Sequence, residues 1–185
     1  MVTAKTPPQD WINAGLEALA EGGPDAVRVE QLAARLGVSK GGFYWHFSER
    51  GDFLTKMLDA WESTVVEDVI RTIETQGGGP REQLRQLFAL ARVSATSTVG
   101  LGAELAIRDW ARRDTAVADR LRRVDDRRMG YLRGLFRQLS PDAEDTEARC
   151  LQVYALFIGG PFITAGHGDL TREQVVRRAL ARLLE

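Results

Sequence analysis

Apolar residues recur at helical spacing along nearly the whole chain, and glycine, proline and N-capping residues mark the breaks between these runs. No stretch of useful length alternates apolar and polar residues as a half-buried strand does. The pattern therefore predicts an all-α fold of about nine helices. Their predicted bounds are 7–20, 29–36, 40–46, 49–76, 81–96, 102–112, 115–139, 141–165 and 172–184.

Capping and linker signals divide this helical chain into segments. The predicted N-caps are Thr6, Ser39, Ser48, Ser140 and Thr171. Gly77, Gly78 and Gly79, followed by Pro80, form the clearest linker. We predict a flexible N-terminus at residues 1–8, a three-helix helix-turn-helix domain at 9–50, a connecting helix at 51–76 and a C-terminal helical domain at 77–185. The connecting helix would span roughly 40 Å, enough to link two domains mechanically.

Residues 29–47 contain two short predicted helices joined by a tight turn, with the sequence VEQLAARLGVSKGGFYWHF. Ala33 is small where the two helices must cross closely, and Gly37 can adopt the left-handed conformation that the turn needs. Phe43 and Phe47 are predicted to point inward beneath the second helix. This spacing is typical of a DNA-binding helix-turn-helix.

The opposite face of the second helix is unusual for a purely structural element. It presents a lysine, two adjacent glycines, a tyrosine and a histidine, and each glycine costs about 0.5–1 kcal/mol relative to alanine. Close approach of a DNA groove explains this composition, whereas the alternative is a glycine-rich corner in a helical bundle. The candidate DNA-binding residues are Arg28, Ser39, Lys40, Gly41, Gly42, Tyr44, Trp45, His46 and Lys56.

The run GVSKGGFYWHFSERGDFL resembles the signature of the TetR/AcrR family of regulators, and the resemblance is strong over Gln9–Leu58. Further on, it continues as helix number, helix length and a weaker match at Ile107–Asp114. It implies a C-terminal ligand-binding and dimerisation domain, a homodimer formed mainly through the last two helices, and release from DNA when a small-molecule inducer shifts the fourth helix. Many members carry a threonine at the start of the second helix, where this sequence has Arg28 and Val29.

In the C-terminal half, a ligand pocket and an ordinary core would use the same apolar residues, so polar residues on apolar faces are the better pointers. Such charged residues pair with one another for structure or orient a polar group of the inducer. The candidate ligand-binding residues are Trp61, Arg108, Trp110, Asp125, Arg128, Tyr154, Phe157 and Phe162. Residues 108–137 also hold ten arginines against five aspartates, which indicates either a solvated face with Asp/Arg pairs or an anion-binding surface.

The last two predicted helices carry more apolar surface than one small domain readily buries, which favours a dimer interface there. The candidate interface residues are Leu151, Tyr154, Ile158, Val176, Leu180 and Leu183. We expect a charge at Leu180 or Leu183 to give monomers. A two-fold dimer would bind an inverted-repeat operator in double-stranded DNA, with recognition helices about 34 Å apart.

Composition narrows the remaining function classes. Two histidines and the single Cys150 cannot supply a Cys/His metal cluster, and no common catalytic motif occurs, so we expect no enzyme and no cofactor. The charges nearly cancel, with 25 Lys and Arg against 26 Asp and Glu, and no apolar signal segment begins the chain. We therefore expect a cytoplasmic protein without a membrane span. We expect a repressor, because an activator would need a surface for polymerase and the sequence shows no motif for one. The alternative is a DNA-binding regulator controlled by a protein partner instead of an inducer.

Overall fold

A computed structural model describes residues 6–96 and 98–185, apart from the side chains of residues 94–99, so most of the predicted N-terminal segment 1–8 lies outside the described residues. Over these ranges the chain is helical and contains no β-strand, which confirms the predicted all-α fold. None of the described helices is both long and apolar enough to cross a membrane. The α-helices are α1 (Pro8–Gly22), α2 (Val29–Leu36), α3 (Arg50–Glu62), α4 (Val69–Gln76), α5 (Pro80–Thr96), α6 (Thr98–Ala111), α7 (Thr115–Phe136), α8 (Ala143–Gly159) and α9 (Arg172–Arg182).

Two of the shorter helical segments lie between the α-helices of the first 70 residues and matter for the site described below. Lys40–Trp45 forms a 3-10 helix, which we call the recognition helix. The predicted connecting helix is interrupted by a π-helical turn, Ser63–Asp68, between α3 and α4. A π turn adds one residue to the helical turn. Val66 is buried five residues after the buried Trp61, and because Val65 is apolar as well, the sequence pattern does not reveal the insertion.

The predicted N-caps are mostly wrong by one or two residues. Only Thr171 forms the predicted capping box, in which its hydroxyl accepts from the Gln174 backbone N–H and the Gln174 side chain accepts from the Thr171 backbone N–H. Ser39 occupies its predicted position but makes no side-chain capping bond. Pro7, Glu49 and Asp142 take the positions predicted for Thr6, Ser48 and Ser140.

The chain divides into two compact units, and the first comprises the residues up to Glu67 together with Thr96–Arg122. Its core packs α1 tightly against α3 at Gly15, where an added Cβ would lie 2.6 Å from Phe53 Cζ. It also packs α1 against α6 at Gly102, where a Cβ would lie 2.9 Å from Ala20 Cβ. Small residues thus allow the helices of this unit to approach closely.

The second unit comprises Asp68–Ala95 and Arg123–Glu185 and has its own hydrophobic core. The core residues come from α5, α7, α8 and the C-terminal end of the chain: Leu84, Phe88, Leu132, Leu135, Phe136, Cys150, Val153, Leu180 and Leu184. Leu180 is only 8% exposed, which removes it from the predicted dimer surface. A charge at Leu180 is expected to destabilise this unit instead of giving folded monomers.

These units differ from the predicted segments in two respects. The boundary between Glu67 and Asp68 falls inside the predicted connecting helix 51–76, and α6 belongs to the first unit although it follows the linker. The buried residues Ala103 and Ile107 of α6 account for its place in that unit. The division into DNA-binding and regulatory functions stays a prediction.

Candidate nucleic-acid interface

The turn between α2 and the recognition helix has the predicted geometry. Gly37 has a φ of 67°, in the left-handed region that favours glycine, and it ends α2. The backbone N–H of Val38 then donates to the Ala33 carbonyl at 3.0 Å, and Ala33 itself is buried. The left-handed conformation predicted for Gly37 is therefore confirmed, and the buried Ala33 fixes with it the direction in which the chain leaves α2.

An aromatic cluster holds the recognition helix from below. Phe43 is fully buried, and its ring centroid lies 5.5 Å from that of Trp11, 4.9 Å from that of Phe47 and 5.2 Å from that of Phe53. The contacts with Trp11 and Phe53 are edge-to-face, and such contacts contribute beyond the apolar area they bury. The inward direction predicted for Phe43 and Phe47 is confirmed, and it determines which residues point outward.

The outward face of the recognition helix carries the predicted DNA-binding residues. Tyr44 is 52% exposed and Trp45 is 76% exposed, which is unusual for such large aromatic side chains. Lys40 and Gly41 are also exposed, and Gly42 is half-buried. This arrangement leaves a nearly bare stretch of backbone between a cation and two projecting aromatic rings.

His46 has a positioning contact that the sequence did not reveal. Its Nε2 lies 2.9 Å from the Thr6 carbonyl oxygen, so the ring donates its proton to the segment that precedes α1. Nε2 is therefore engaged within the protein and is not free for the predicted phosphate contact. His46 thus joins two parts of this unit.

The predicted cations of this region are engaged within the protein. The Nε of Arg28 donates to the Asp25 carbonyl at 2.9 Å. Lys56 Nζ lies 3.0 Å from Asp52 Oδ2 and also lies over the Phe47 ring, 5.4 Å from its centroid. These cations lie within the helix-turn-helix region, but binding to phosphate would require each to exchange or share a partner.

Two residues that the sequence analysis missed shape this interface. Arg50 Nε donates to the Val27 carbonyl at 2.8 Å and anchors the start of α3 to the α1–α2 connection. Glu30 Oε1 lies 2.6 Å from Lys40 Nζ and thereby joins α2 to the recognition helix. A carboxylate in the first predicted turn of α2 was the available signal for Glu30, whereas no pattern indicated the partners of Arg50.

The candidate ligand-binding residues do not all come together. Trp61, Arg108 and Trp110 lie in the first unit, where Trp61 Nε1 is buried without a hydrogen-bond partner and Arg108 pairs with the buried Glu104 at 2.8 Å. Phe162 is 66% exposed, so it lines no interior site of the protomer.

Four other candidates in the second unit do lie together, on α7 and α8. The Tyr154 hydroxyl donates to Asp125 Oδ1 at 2.5 Å and accepts from Arg128 Nη1 at 3.3 Å. The Arg128 guanidinium lies 5.7 Å from the centroid of the Phe157 ring. All four side chains are half-buried, so the cluster combines polar and aromatic groups near the surface of this unit.

Within the arginine-rich stretch 108–137, carboxylates pair with several of the guanidinium groups. Arg122 pairs with Asp119 at 3.1 Å and Arg120 pairs with Glu62 at 3.2 Å. Arg113 pairs with Asp109 one helical turn away. This pattern supports the solvated face with Asp/Arg pairs over an anion-binding surface.

Comparison with known proteins finds a family match for the segment that builds this interface. Residues 12–57 match the family model described as bacterial regulatory proteins, tetR family. The match covers most of α1, all of α2 and the recognition helix, and part of α3, which are the elements that build the interface described above. No protein in the curated set matches the chain at a significant level.

Solved structures share the fold over nearly the whole chain. A TetR transcriptional regulator from Legionella pneumophila has 17% identity and a TM-score of 0.76, with 100% of each chain covered. A TetR-family regulator from Agrobacterium tumefaciens has 16% identity and a TM-score of 0.75, with 95% of this chain and 96% of that chain covered. The transcriptional regulator FadR from Bacillus subtilis, solved in complex with stearoyl-CoA, has 15% identity and a TM-score of 0.68, with 95% and 97% covered. Residues 12–57, which hold the recognition elements, therefore match the tetR family of bacterial regulatory proteins, and the chain as a whole shares the fold of solved TetR-family regulators.

Proposed function

We propose that this protein is a DNA-binding transcription repressor of the TetR family that binds an inverted-repeat operator as a homodimer and is released by a small-molecule inducer. The observation that carries the DNA-binding part is the outward face of the recognition helix. Phe43 is held in the core, while Tyr44 and Trp45 project from the same short helix and Gly41 leaves the backbone accessible. A helix with a fixed base and a bare, aromatic outer face suits insertion into the major groove.

The outward residues make two kinds of contact in the proposed complex, to the phosphates and to the bases. Lys40, the Ser39 hydroxyl and the Tyr44 hydroxyl contact phosphate oxygens and set the register of the helix on DNA. Trp45 provides an apolar surface for thymine methyl groups in the major groove. The glycines at 41 and 42 allow the backbone to approach the base edges, and Arg28 and Lys56 flank the site.

Selection of bound duplexes from a random DNA pool tests this proposal. The wild-type protein is expected to enrich an inverted repeat with half-sites about 34 Å apart, or somewhat more, because each protomer contributes one recognition helix. Tyr44→Ala and Lys40→Ala are expected to weaken binding to that duplex at least about tenfold, since each removes a phosphate contact. Both side chains are exposed, so thermal unfolding should stay close to that of the wild type. Binding of that duplex by both variants as tightly as by the wild type, or enrichment of no repeat by the wild type, would contradict the proposal.

The surface of α8 and α9 supports the proposed homodimer. Leu151 is 64% exposed in the middle of α8, and the exposed Glu144 lies near the start of that helix. The exposed face of α9 carries Arg177, Arg178 and Arg182. An apolar centre with acidic groups on one helix and basic groups on the other is self-complementary under two-fold symmetry. The other predicted interface residues, Tyr154, Ile158, Val176 and Leu183, are half-buried.

Leu151→Glu is expected to convert the dimer into a folded monomer, because burying an unpaired carboxylate at the centre of the interface is costly. Light scattering coupled to size-exclusion chromatography gives the mass directly. Ala89→Glu is the matched control, since it places the same charge at an exposed helix position outside α8 and α9. A dimeric Leu151→Glu protein, or equal dissociation in both variants, would argue against this interface.

The inducer part of the proposal rests on the polar cluster of α7 and α8. Asp125, Arg128 and Tyr154 offer hydrogen-bonding groups beside the Phe157 ring, which is a combination that orients a partly apolar ligand. The Bacillus subtilis regulator that shares this fold was solved with stearoyl-CoA, which supports a small-molecule effector for this chain. Addition of an effector is expected to release the selected operator duplex.

A further inference from the structure

The DNA-binding region carries no surplus of positive charge. Residues 12–57 contain five basic side chains, Arg28, Arg35, Lys40, Arg50 and Lys56. The same residues contain six acidic side chains, Glu17, Glu21, Asp25, Glu30, Glu49 and Asp52. Attraction between cations and phosphates provides essentially all non-specific DNA affinity, so this region should bind random DNA weakly.

All five of these cations have partners inside the protein. Arg35 pairs with Glu17 and Glu21, and Lys56 pairs with Asp52. Arg28 and Arg50 donate to backbone carbonyls. The fifth cation, Lys40, lies on the recognition helix itself and pairs with Glu30.

The Lys40–Glu30 pair lies where DNA is proposed to bind. Lys40 is the first residue of the recognition helix and Glu30 is in the first turn of α2, and their charged atoms are 2.6 Å apart. The side chains are 53% and 67% exposed, so both remain accessible to DNA. Their hydrogen bond is the largest cause that lowers the pKa of Glu30 and raises the pKa of Lys40. Both groups are therefore charged at neutral pH, and Glu30 compensates the charge of Lys40 in the free protein.

We propose that Glu30 is a specificity-determining residue that makes binding to non-operator DNA unfavourable by competing with phosphate for Lys40. The inference rests on the proposed operator binding. When a phosphate group replaces Glu30 as the partner of Lys40, the Glu30 carboxylate lies beside another anion. The DNA backbone offers no hydrogen-bond donor to this carboxylate. Base edges do have one, because cytosine N4 and adenine N6 donate in the major groove. Only a DNA sequence that places such an amino group opposite Glu30 gives its carboxylate a hydrogen bond in place of the one it lost when Lys40 bound phosphate.

The change of the Lys40 partner from Glu30 to phosphate also affects how DNA binding depends on salt concentration. DNA carries condensed cations that are released when a lysine neutralises a phosphate, and each such contact adds about 0.9 to the magnitude of the slope of log K against log salt. Lys40 is already neutralised by Glu30, so its contact contributes little to that slope. Removal of the Glu30 charge restores the missing contribution.

The test compares Glu30→Gln with Glu21→Gln on the selected operator duplex and on a scrambled duplex of equal length. Both variants remove one negative charge from the same region, but Glu21 pairs with Arg35 on α2 and not with the recognition helix. Glu30→Gln is expected to lower the ratio of operator to scrambled affinity about tenfold for a dimer with two Glu30 side chains. Its salt slope on scrambled DNA should be steeper by about 0.9 per protomer. Glu21→Gln should keep the wild-type ratio and slope.

The outcomes separate the inference from the function on which it rests. An unchanged affinity ratio in Glu30→Gln, or an equal change in Glu21→Gln, overturns the role of Glu30 while operator binding stands. Failure of the wild-type protein to enrich any duplex contradicts the proposed function and the inference with it. A steeper salt slope that persists when Lys40 is replaced by methionine would show that Glu30 does not act through Lys40.

Discussion

Replacement of Phe43 by alanine is expected to lower the free energy of unfolding by about 3–5 kcal/mol and to abolish DNA binding at the same time. Phe43 is fully buried, and the rings of Trp11, Phe47 and Phe53 surround it. Loss of its ring leaves a cavity among three large neighbours that cannot easily collapse into it. Because the recognition helix has only six residues, it depends on this contact for its position.

Urea unfolding followed by far-ultraviolet circular dichroism measures this effect, and Trp45→Ala is the matched control. Trp45 lies on the same short helix and loses a larger ring, but it is 76% exposed. Its replacement is expected to change the free energy of unfolding by less than about 1 kcal/mol while weakening DNA binding. Equal destabilisation by the two variants would show that the aromatic cluster does not hold the recognition helix.

The same contrast explains why much of the recognition element was predictable from the sequence. Glycine is one of the few residue types that adopts a positive φ easily, and Gly37 has one. Phe43 must be buried if the polar residues around it are to face solvent. Each of these residues has one energetically favourable place in a helix-turn-helix. A periodic apolar pattern identified the helices for a similar reason, since only one face of each is apolar.

Helix boundaries and N-caps were less predictable because several neighbouring residues can begin or cap the same helix. Ser48 has a good capping side chain, yet Glu49 takes the N-cap position and Asp52 instead accepts from the Ser48 backbone N–H at 2.9 Å. The π turn at Ser63–Asp68 leaves no mark in the apolar spacing. Such local choices are decided by tertiary contacts and not by the residue type alone.

The partners of individual side chains were the least predictable feature. An apolar stripe on α9 indicated burial, but it could not tell that Leu180 packs inside its own protomer instead of against a second one. The pairing of Glu30 with Lys40 joins two helices across a turn whose exact angle the sequence does not give. Prediction therefore succeeded where one residue type satisfies one conformation, and it failed where several partners would satisfy the same side chain.

Replacement of Gly41 by a larger residue is expected to weaken DNA binding without weakening the fold. The backbone of Gly41 does not have a positive φ, and an added Cβ would meet only Ser39 Oγ, at an ordinary 3.7 Å. Gly41→Ala should therefore raise the free energy of unfolding by up to about 0.5–1 kcal/mol, because alanine loses less entropy in a helix. Gly41→Leu should leave the fold intact but weaken operator binding by about 3 kcal/mol, or roughly a hundredfold. Titration of the selected operator duplex and urea unfolding measure the two effects separately.

Gly15 provides the control because its glycine is required for the opposite reason. A Cβ at Gly15 would lie 2.6 Å from Phe53 Cζ, so Gly15→Ala should lower stability while leaving the DNA-facing surface chemically unchanged. If Gly41→Leu bound the operator as tightly as the wild type, the bare backbone of the recognition helix would not be the surface that approaches DNA. If it bound weakly and was also unstable, the glycine would serve the fold. Only weak binding by a stable protein agrees with a glycine that is kept for the space it leaves to the DNA.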